Sequence, residues 1–554
     1  MQLKLLGRYI RTLRHLTLKQ FIYRLLKLSY LISLFNRNKP IERNIAFNKN
    51  DSIRFPRTVC SKNKTRTSYS SILIHGNSIP YSSNLWKSRK YTKLVQYKLN
   101  YFDYIFNEDE TVDKSAIQIV NDWIDKSNLR SVGMQPYPTS LRIVNWIIWS
   151  ETISFSSAKF RNSILDQLLF LSKNIEWDVG GNHLIANAKA LIFGGIYFSG
   201  KDAKNILDNG IEMFEKQLHM QILSDGGHYE RSVMYHSIIL FDVIQLLELC
   251  YLNKSYFNKR FIFLLESTAT KMWNWLCAMC HPDGEPTVFG DVVRNETIKP
   301  YQYKIFLNNY AVLKLLNFNK LKKPPILDVQ SQSRYITFRN KNASLFWNVG
   351  GPSPDHQPGH SHADTLSLEL SIKGKRFLVN PGTSTYDICP RRFYERSTMS
   401  HNTVAINKED SNEIWSSFRV GRRARVKMIS HNVIKNSATY IHDGYRYLPG
   451  KPNHKRKVKL SNTNLVIQDQ VISKKYHNCF SYYFFSPEAK LTLINNQKIL
   501  INIDELSVFL ICKNGTIKID NYEYAEGFNQ RVEARFLSIK WLSSKEINQL
   551  EILW

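Results

Sequence analysis

The chain has 554 residues, more than one ordinary hydrophobic core can organise, so roughly two to four domains with ample buried surface are expected. Lys and Arg number 76 against 46 Asp and Glu, and the resulting net charge of +30 favours a polyanionic partner: nucleic acid, anionic lipid or an acidic polysaccharide. The 7 cysteines are scattered, odd in number and without framework spacing, which argues against a disulfide-stapled scaffold and for reduced thiols.

Residues 1–84 form a first segment. It opens on "MQLKLLGRYIRTLRHLTLKQFIYRLLKLSYLISLF", where Leu, Ile and Tyr alternate with Lys and Arg at helical spacing. This is an amphipathic basic helix, expected either to lie against an anionic surface or to pack on its own domain. It lacks the uninterrupted apolar stretch and small-residue cleavage site of a signal peptide, and no run of about eighteen apolar residues suggests a membrane span. A cytoplasmic or peripherally membrane-associated chain is the expectation.

Residues 85–321 read as helical. "SLRIVNWIIWSETISF", "RNSILDQLLFLSKNI", "HLIANAKALIFGGIYFSG", "AKNILDNGIEMFEKQLHMQI", "HSIILFDVIQLLELCYL" and "FIFLLESTATKMWNWLCAM" follow one another with short loops, as in a solenoid or a closed ring of helices. Cys277 and Cys280 form a CxxC without a second pair at zinc-ribbon distance, which reads as two helix cysteines with redox or metal chemistry as the alternative. Paired prolines and polar residues mark 322–333 as a linker. From 334 to 554 the period changes to two, in short strands such as "SLFWNVG", "LSLELSI", "NLVIQDQVI" and "SVFLIC" broken by Gly and Asn turns, which describes an antiparallel sandwich.

Four polar clusters interrupt these patterns. In "GGNHLIANAKAL", Asn182 and His183 precede an apolar helix; a helix cap explains the Asn as readily as a function does. "SDGGHYERSVMYHSIIL" packs His228, Tyr229, Glu230, Arg231, Tyr235 and His236 ahead of another helix, more polar density than a cap requires. "PGHSHADTLSLELSI" places His360, His362 and Asp364 two apart, on one face if extended chain begins at His360. "ERSTMSHNTV" supplies His401, and with His360, His362 and Asp364 it makes a workable metal ligand set, with Asn380 near on the paired strand although an amide is a poor transition-metal ligand.

"GNHLIANAKALIFGG", "DGGHYERSVMYH", "GHSHADTLSLELSIKGKRFLVNPGT" and "ERSTMSHNTV", with "QPYPTSLRIVNWI" and "FRVGRRARV", resemble signature blocks of the heparinase II/III family of polysaccharide lyases, related to oligoalginate lyases, over residues 85 to about 430. Within it the chain is most similar to lyase-like proteins associated with bacterial surface-polysaccharide assembly. The resemblance implies an incomplete (α/α) toroid followed by an antiparallel β-sandwich, and β-elimination on a uronic-acid-containing polysaccharide. That chemistry needs donors to neutralise the carboxylate before the adjacent C5 proton can be removed. Asn182 and His183 resemble the neutralising pair, Tyr235 the catalytic tyrosine that protonates the leaving O4 or serves as both acid and base, and His360 the base or a further neutraliser. His228, Tyr229, Arg231, His236 and Arg396 are expected to bind substrate. His362, Asn380 and His401 fall where some members bind zinc through His, Asp and His; Asn for Asp removes the charged ligand, so a hydrogen-bonded cluster is preferred and no cofactor is required.

Two other classes compete with this reading. A carbohydrate-binding or assembly protein on the same fold would be expected to have lost Tyr235 or Asn182, and both are present. A nucleic-acid partner is not expected, because no recognised module accompanies the charge. A toroid-type glycoside hydrolase needs two carboxylates flanking the scissile bond, for which Asp225, Glu230, Asp283 and Asp291 are available.

Overall fold

Apolar residues at helical spacing produce helices where the sequence expects them. In the computed structural model, the described residues are 2–28, 45–48, 52–57, 71–75, 77–82, 84–88, 90–106, 114–127, 131–303, 327–330, 332–432, 436–543 and 547–554. Two N-terminal helices, α1 (Gln2–Leu13) and α2 (Leu18–Leu28), precede α3 (Lys93–Leu99) and α4 (Lys114–Lys126). The main array follows as α5 (Pro136–Thr152), α6 (Ala158–Lys173), α7 (Asn182–Tyr197), α8 (Lys201–Gln221), α9 (Val233–Leu252) and α10 (Lys259–Ala278). Ser157, Ser232 and Asn258 cap α6, α9 and α10 by accepting backbone N–H bonds from Phe160, Tyr235 and Phe261. Helix α9 is long and apolar enough to cross a membrane, but it is almost wholly buried inside the array as its central core helix.

The second half is built of sheets. Strands Leu327–Gln330, Tyr335–Arg339, Ala343–Asn348, Leu368–Ile372 and Lys375–Leu378 form a five-stranded antiparallel meander. An eight-stranded sheet runs from Val426–Asn432 at one edge to Lys490–Asn495 at the other, and a four-stranded sheet joins Val404–Ile406, Asn478–Phe484, Gln530–Leu542 and Thr516–Gly527. Leu345, Leu370, Val458, Ile467, Leu537 and Leu550 from all three sheets share one apolar core. The helical array has its own core, into which Tyr335 and Phe346 of the meander also pack.

Two expectations need correction. The assigned linker, 322–333, already contains the first strand: Leu327 and Val329 alternate with Asp328 and Gln330, and the segment pairs with Tyr335–Phe338. The end of the helical region from 304, and residues 321–326 and 331, lie outside the described residues. His360, His362 and Asp364 do not share a strand face. The strand begins only at Leu368, because a turn closed by Ser367 N–H donating to Asp364 O, with Leu366 left-handed at φ 62°, intervenes. Cys277 lies on α10 and Cys280 just beyond its end, where its Sγ donates to Leu276 O.

Candidate active site

Helix α7 begins at Asn182 itself, the residue expected to cap it: Gly181, left-handed at φ 61°, occupies the cap position one residue earlier, and a Cβ there would stand 2.3 Å from Glu230 Oε1. Asn182, buried, donates its amide to Tyr137 Oη at 3.2 Å. His183 stacks on the Tyr137 ring, centroids 4.2 Å apart, and its Nδ1 meets Glu176 Oε2 at 3.0 Å. Glu176 is itself fixed by its backbone N–H, which donates to Asn187 Oδ1 one helical turn further along α7.

The second element is the first turn of α9. Ser232 caps it and donates its hydroxyl to Asp291 O, while Tyr235 projects from it to stack on His360, ring centroids 3.8 Å apart. Tyr235 Oη lies 3.3 Å from Tyr386 Oη. Burial, reinforced by the neighbouring Tyr386 and Asp291, pushes the Tyr235 phenol well above its ordinary range, so it carries its proton at neutral pH.

The third element is the loop preceding the meander strand that starts at Leu368. His360 Nδ1 sits 2.9 Å from Asp291 Oδ2, and His362 Nε2 2.8 Å from Asp291 Oδ1. Arg392 binds the same carboxylate with both terminal nitrogens, at 2.5 and 2.7 Å. Burial opposes ionisation of Asp291, but Arg392 and the two imidazole contacts outweigh it and hold the carboxyl well below the usual range. An ionised carboxylate only accepts, so His360 carries its proton on Nδ1 and turns Nε2 toward Glu230 Oε2, 3.7 Å away. Glu230, fully buried, stands between the two halves of the site, behind Gly181 on one side and facing His360 on the other. Asn182, His183, Tyr235 and His360 thus converge where the helical array meets the sheets.

The expected substrate-binding groups are placed differently. Arg231 is buried, its guanidinium donating to Ser333 O, Gly351 O, Arg334 O and Asn348 Oδ1, so its donors bolt the two halves together rather than face a ligand. Arg396 is buried as well, holding the backbone carbonyls of Ser361, Ser416 and Arg419. His228 bonds Gln221 Oε1, and His236 accepts from the His228 backbone N–H and meets Met272 O; both imidazoles are fully buried and pushed below their ordinary range by burial. Tyr229 is 8% exposed and packs against the rings of His228 and His356.

His362, Asn380 and His401 do come together, but as a chain. His362 Nδ1 meets His401 Nε2 at 3.3 Å, and Asn380 Oδ1 lies 2.9 Å from the opposite nitrogen of His401. Asn380 passes the chain on to Glu369 Oε1, and Glu369 Oε2 to His281 Nε2. The three donors do not converge on one point, and no group of three His, Cys, Asp or Glu among the described residues is arranged to hold a metal. As arranged, His401 turns a different nitrogen to each neighbour and the Asn380 amide is spent on His401 and Glu369, which does not fit three donors sharing one zinc ion.

Sequence reasoning missed Tyr137, Glu176, Tyr386 and Arg392 as members of the site, and saw Asp291 only as a spare carboxylate. Tyr137 stands within the quoted "QPYPTSLRIVNWI", Glu176 shortly before "GGNHLIANAKAL" and Arg392 shortly before "ERSTMSHNTV", so proximity to those blocks was the available signal.

Comparison with known proteins matches residues 102–318 to the profile described as "Heparinase II/III N-terminus" and residues 323–547 to "Heparinase II/III-like, C-terminal". A heparin-sulfate lyase of Pedobacter heparinus is 26% identical over 46% of this chain and 40% of its own length, and one of Bacteroides thetaiotaomicron 24% identical over 55% and 50%. The chain therefore matches about half or less of these relatives' length. Among solved structures, that of heparinase III superposes with a TM-score of 0.68 at 16% identity, covering 94% of this chain and 88% of that one. The heparan sulfate lyase HepC from Pedobacter heparinus gives 0.58 at 16% identity over 86% and 79%.

Proposed function

We propose, since the chain belongs to the heparinase II/III family, that it is a polysaccharide lyase cleaving a uronic-acid-containing acidic polysaccharide by β-elimination. The observation that carries this reading is the stack of Tyr235 on His360 across the junction of the two halves, with the start of α7 that bears Asn182 and His183 on the other side of the buried Glu230. The architecture behind it is read as an incomplete (α/α) toroid carrying an antiparallel sandwich, supported by the succession α5 to α10 and by the core shared among the sheets.

In this reading the roles divide among four residues. Asn182 and His183 supply donors to the uronate carboxylate, making the α-proton at C5 acidic enough to leave. His360, with Nδ1–H held by Asp291, offers the Nε2 lone pair as base. Tyr235, kept protonated by burial, donates to the departing O4, so that the C5–H and C4–O bonds break, a C4–C5 double bond forms and both protons are accounted for. Asp291 and Arg392 are positioning residues that act through His360.

The hydrolytic alternative lacks its second carboxylate. Asp225 accepts from the Ser333 backbone and hydroxyl, Asp283 pairs with Arg376, and Asp291 with Arg392, which leaves Glu230 alone. Mass spectrometry of products from a panel of uronate polymers tests the assignment: elimination gives fragments short of one water relative to hydrolysis. Hydrated fragments would overturn the lyase reading.

A further inference from the structure

Surface helices of folded domains bury their apolar stripe and show their polar one. Helices α1 and α2 do the reverse. Their polar and aromatic groups face the body: Arg11 holds both Glu413 carboxylate oxygens at 2.7 Å, Thr12 Oγ1 accepts from Trp415 Nε1, and Tyr9 stands edge-on to Trp415. On α2, Lys19 Nζ lies 3.0 Å above the Trp177 ring, Gln20 is buried, and Arg24 donates to Asp178 O. Left outside are Leu5, Leu6, Ile10 and Leu13 on α1, and Leu18, Phe21, Ile22, Leu25 and Leu26 on α2, with Ile10 58% and Leu18 75% exposed. These follow the i, i+3, i+4 spacing of one stripe per helix, and an exposed apolar stripe of this kind marks an interaction surface.

We propose that this face docks on an anionic lipid bilayer. Charge selects that occupant. Residues 2–28 contain seven Lys and Arg and neither Asp nor Glu; Arg11, Lys19 and Arg24 are spent on the body, while Arg8, its side chain 47% exposed, and the exposed Arg14 remain on α1 and just past its end, beside the apolar stripe, as in an amphipathic helix that enters the boundary of acidic headgroups. A second copy is disfavoured by the same charges, since a two-fold interface would set this cationic surface against itself. The contacts that orient the pair also tie it to the candidate site: Trp415 shares a two-stranded ribbon with Arg419–Val420, Phe418 in its turn stands 5.7 Å from the His360 ring, and Gln20 Nε2 lies 3.6 Å from where a Cβ on Gly180 would be. Docking would therefore bring the segments that hold Gly180 and Phe418, next to His360, close to the lipid surface. If the lyase reading above is right, its substrate is a polysaccharide presented at a membrane; the docking itself rests only on the helix faces.

Flotation of the full chain with phosphatidylcholine vesicles, with and without about 30 mol% phosphatidylglycerol, tests the proposal. The chain should float with the anionic vesicles, less so at high salt, and Ile10→Glu with Leu25→Glu should weaken binding by about tenfold or more while the far-ultraviolet dichroism and thermal melting stay unchanged. Leu18→Glu, at the most exposed position, repeats the test with the least packing at stake. Absence of flotation by the unmodified chain, or equal flotation by the variants, would overturn the proposal. So would a dimer in light scattering that these variants dissolve, since the face would then belong to a second copy.

Discussion

Glu230 and Asp291 are two carboxyls in one site with opposite displacements. Glu230 has both oxygens buried without a hydrogen-bond partner among the described residues, and burial raises its pKa, against the pull of His360 and His183. A raised carboxyl stabilises the fold while protonated, and that contribution is lost as pH rises through its folded pKa. Glu230→Gln, which stays neutral, should therefore melt above the unmodified protein at neutral pH, with the gap closing toward the acid side; a gap independent of pH would contradict this. Asp291 is depressed, so its contribution is present above the ordinary carboxyl range and is lost as pH falls toward its folded pKa. Asp291→Asn leaves Arg392 buried beside a neutral amide and should cost about 3–5 kcal/mol at neutral pH in denaturant titrations, with the penalty shrinking on acidification. Asn182→Ala removes a donor at the proposed carboxylate position, and turnover should fall by a factor of about 10² to 10³. The four residues proposed as catalytic were singled out because their blocks interrupt helical and strand periods and resemble the family's signature blocks, which is where their expected roles came from. The roles of the neighbouring cations were not: Arg231 and Arg396 look like ligand-binding groups in a sequence, and only backbone carbonyls brought from distant segments make them structural bolts.

Among the elements, the turn into α7 is the most constrained. Gly181 is left-handed at φ 61°, and a side chain there would run into Glu230. Gly181→Ala should destabilise by about 2–4 kcal/mol in chemical denaturation, combining backbone strain with displacement of a buried carboxylate; a cost below 1 kcal/mol, about the ordinary Gly-to-Ala scale, would show that the turn gives way easily. The chain of His362, His401 and Asn380 makes a second forecast. Because Asn380 binds the far edge of His401, a chelator should leave the melting temperature and any product formation unchanged, and stoichiometric zinc surviving dialysis would contradict it. Helices α5 to α10 were all legible, since long apolar stripes at period 3.6 have few competing explanations. Strands at the C-terminus were less so. Gln530–Leu542 carries Arg531, Glu533, Arg535 and Lys540 among its apolar residues, and its pairing with Thr516–Gly527 overrides a weak local pattern. Whether extended chain begins at His360 stayed open in the sequence, because alternation says nothing of Asp291, which draws both imidazoles to one carboxylate from irregular backbone.

At the scale of the whole molecule, helices and sheets are joined by buried polar contacts that also build the site. Arg231, Asp225 with Ser333, His281 with Glu369, and Asp291 with Arg392 all cross the junction, so the site and the alignment of the two halves share the same bonds. The order of the two halves was legible from the change of period after Arg334. Their contact was not, because each of these pairs links residues 80 or more positions apart. The central claim is that this junction performs elimination with Tyr235 as the proton donor. It is tested most directly by following the ultraviolet absorbance of the unsaturated uronate product from a responsive polymer, for the unmodified chain and for Tyr235→Phe, with polymer affinity measured in parallel. Product formation should fall by a factor of about 10² to 10⁴ in Tyr235→Phe while affinity changes little, since the ring and its stack on His360 remain and only the titrating oxygen is gone. Undiminished product formation by Tyr235→Phe, or no unsaturated product from the unmodified chain on any uronate polymer, would contradict it.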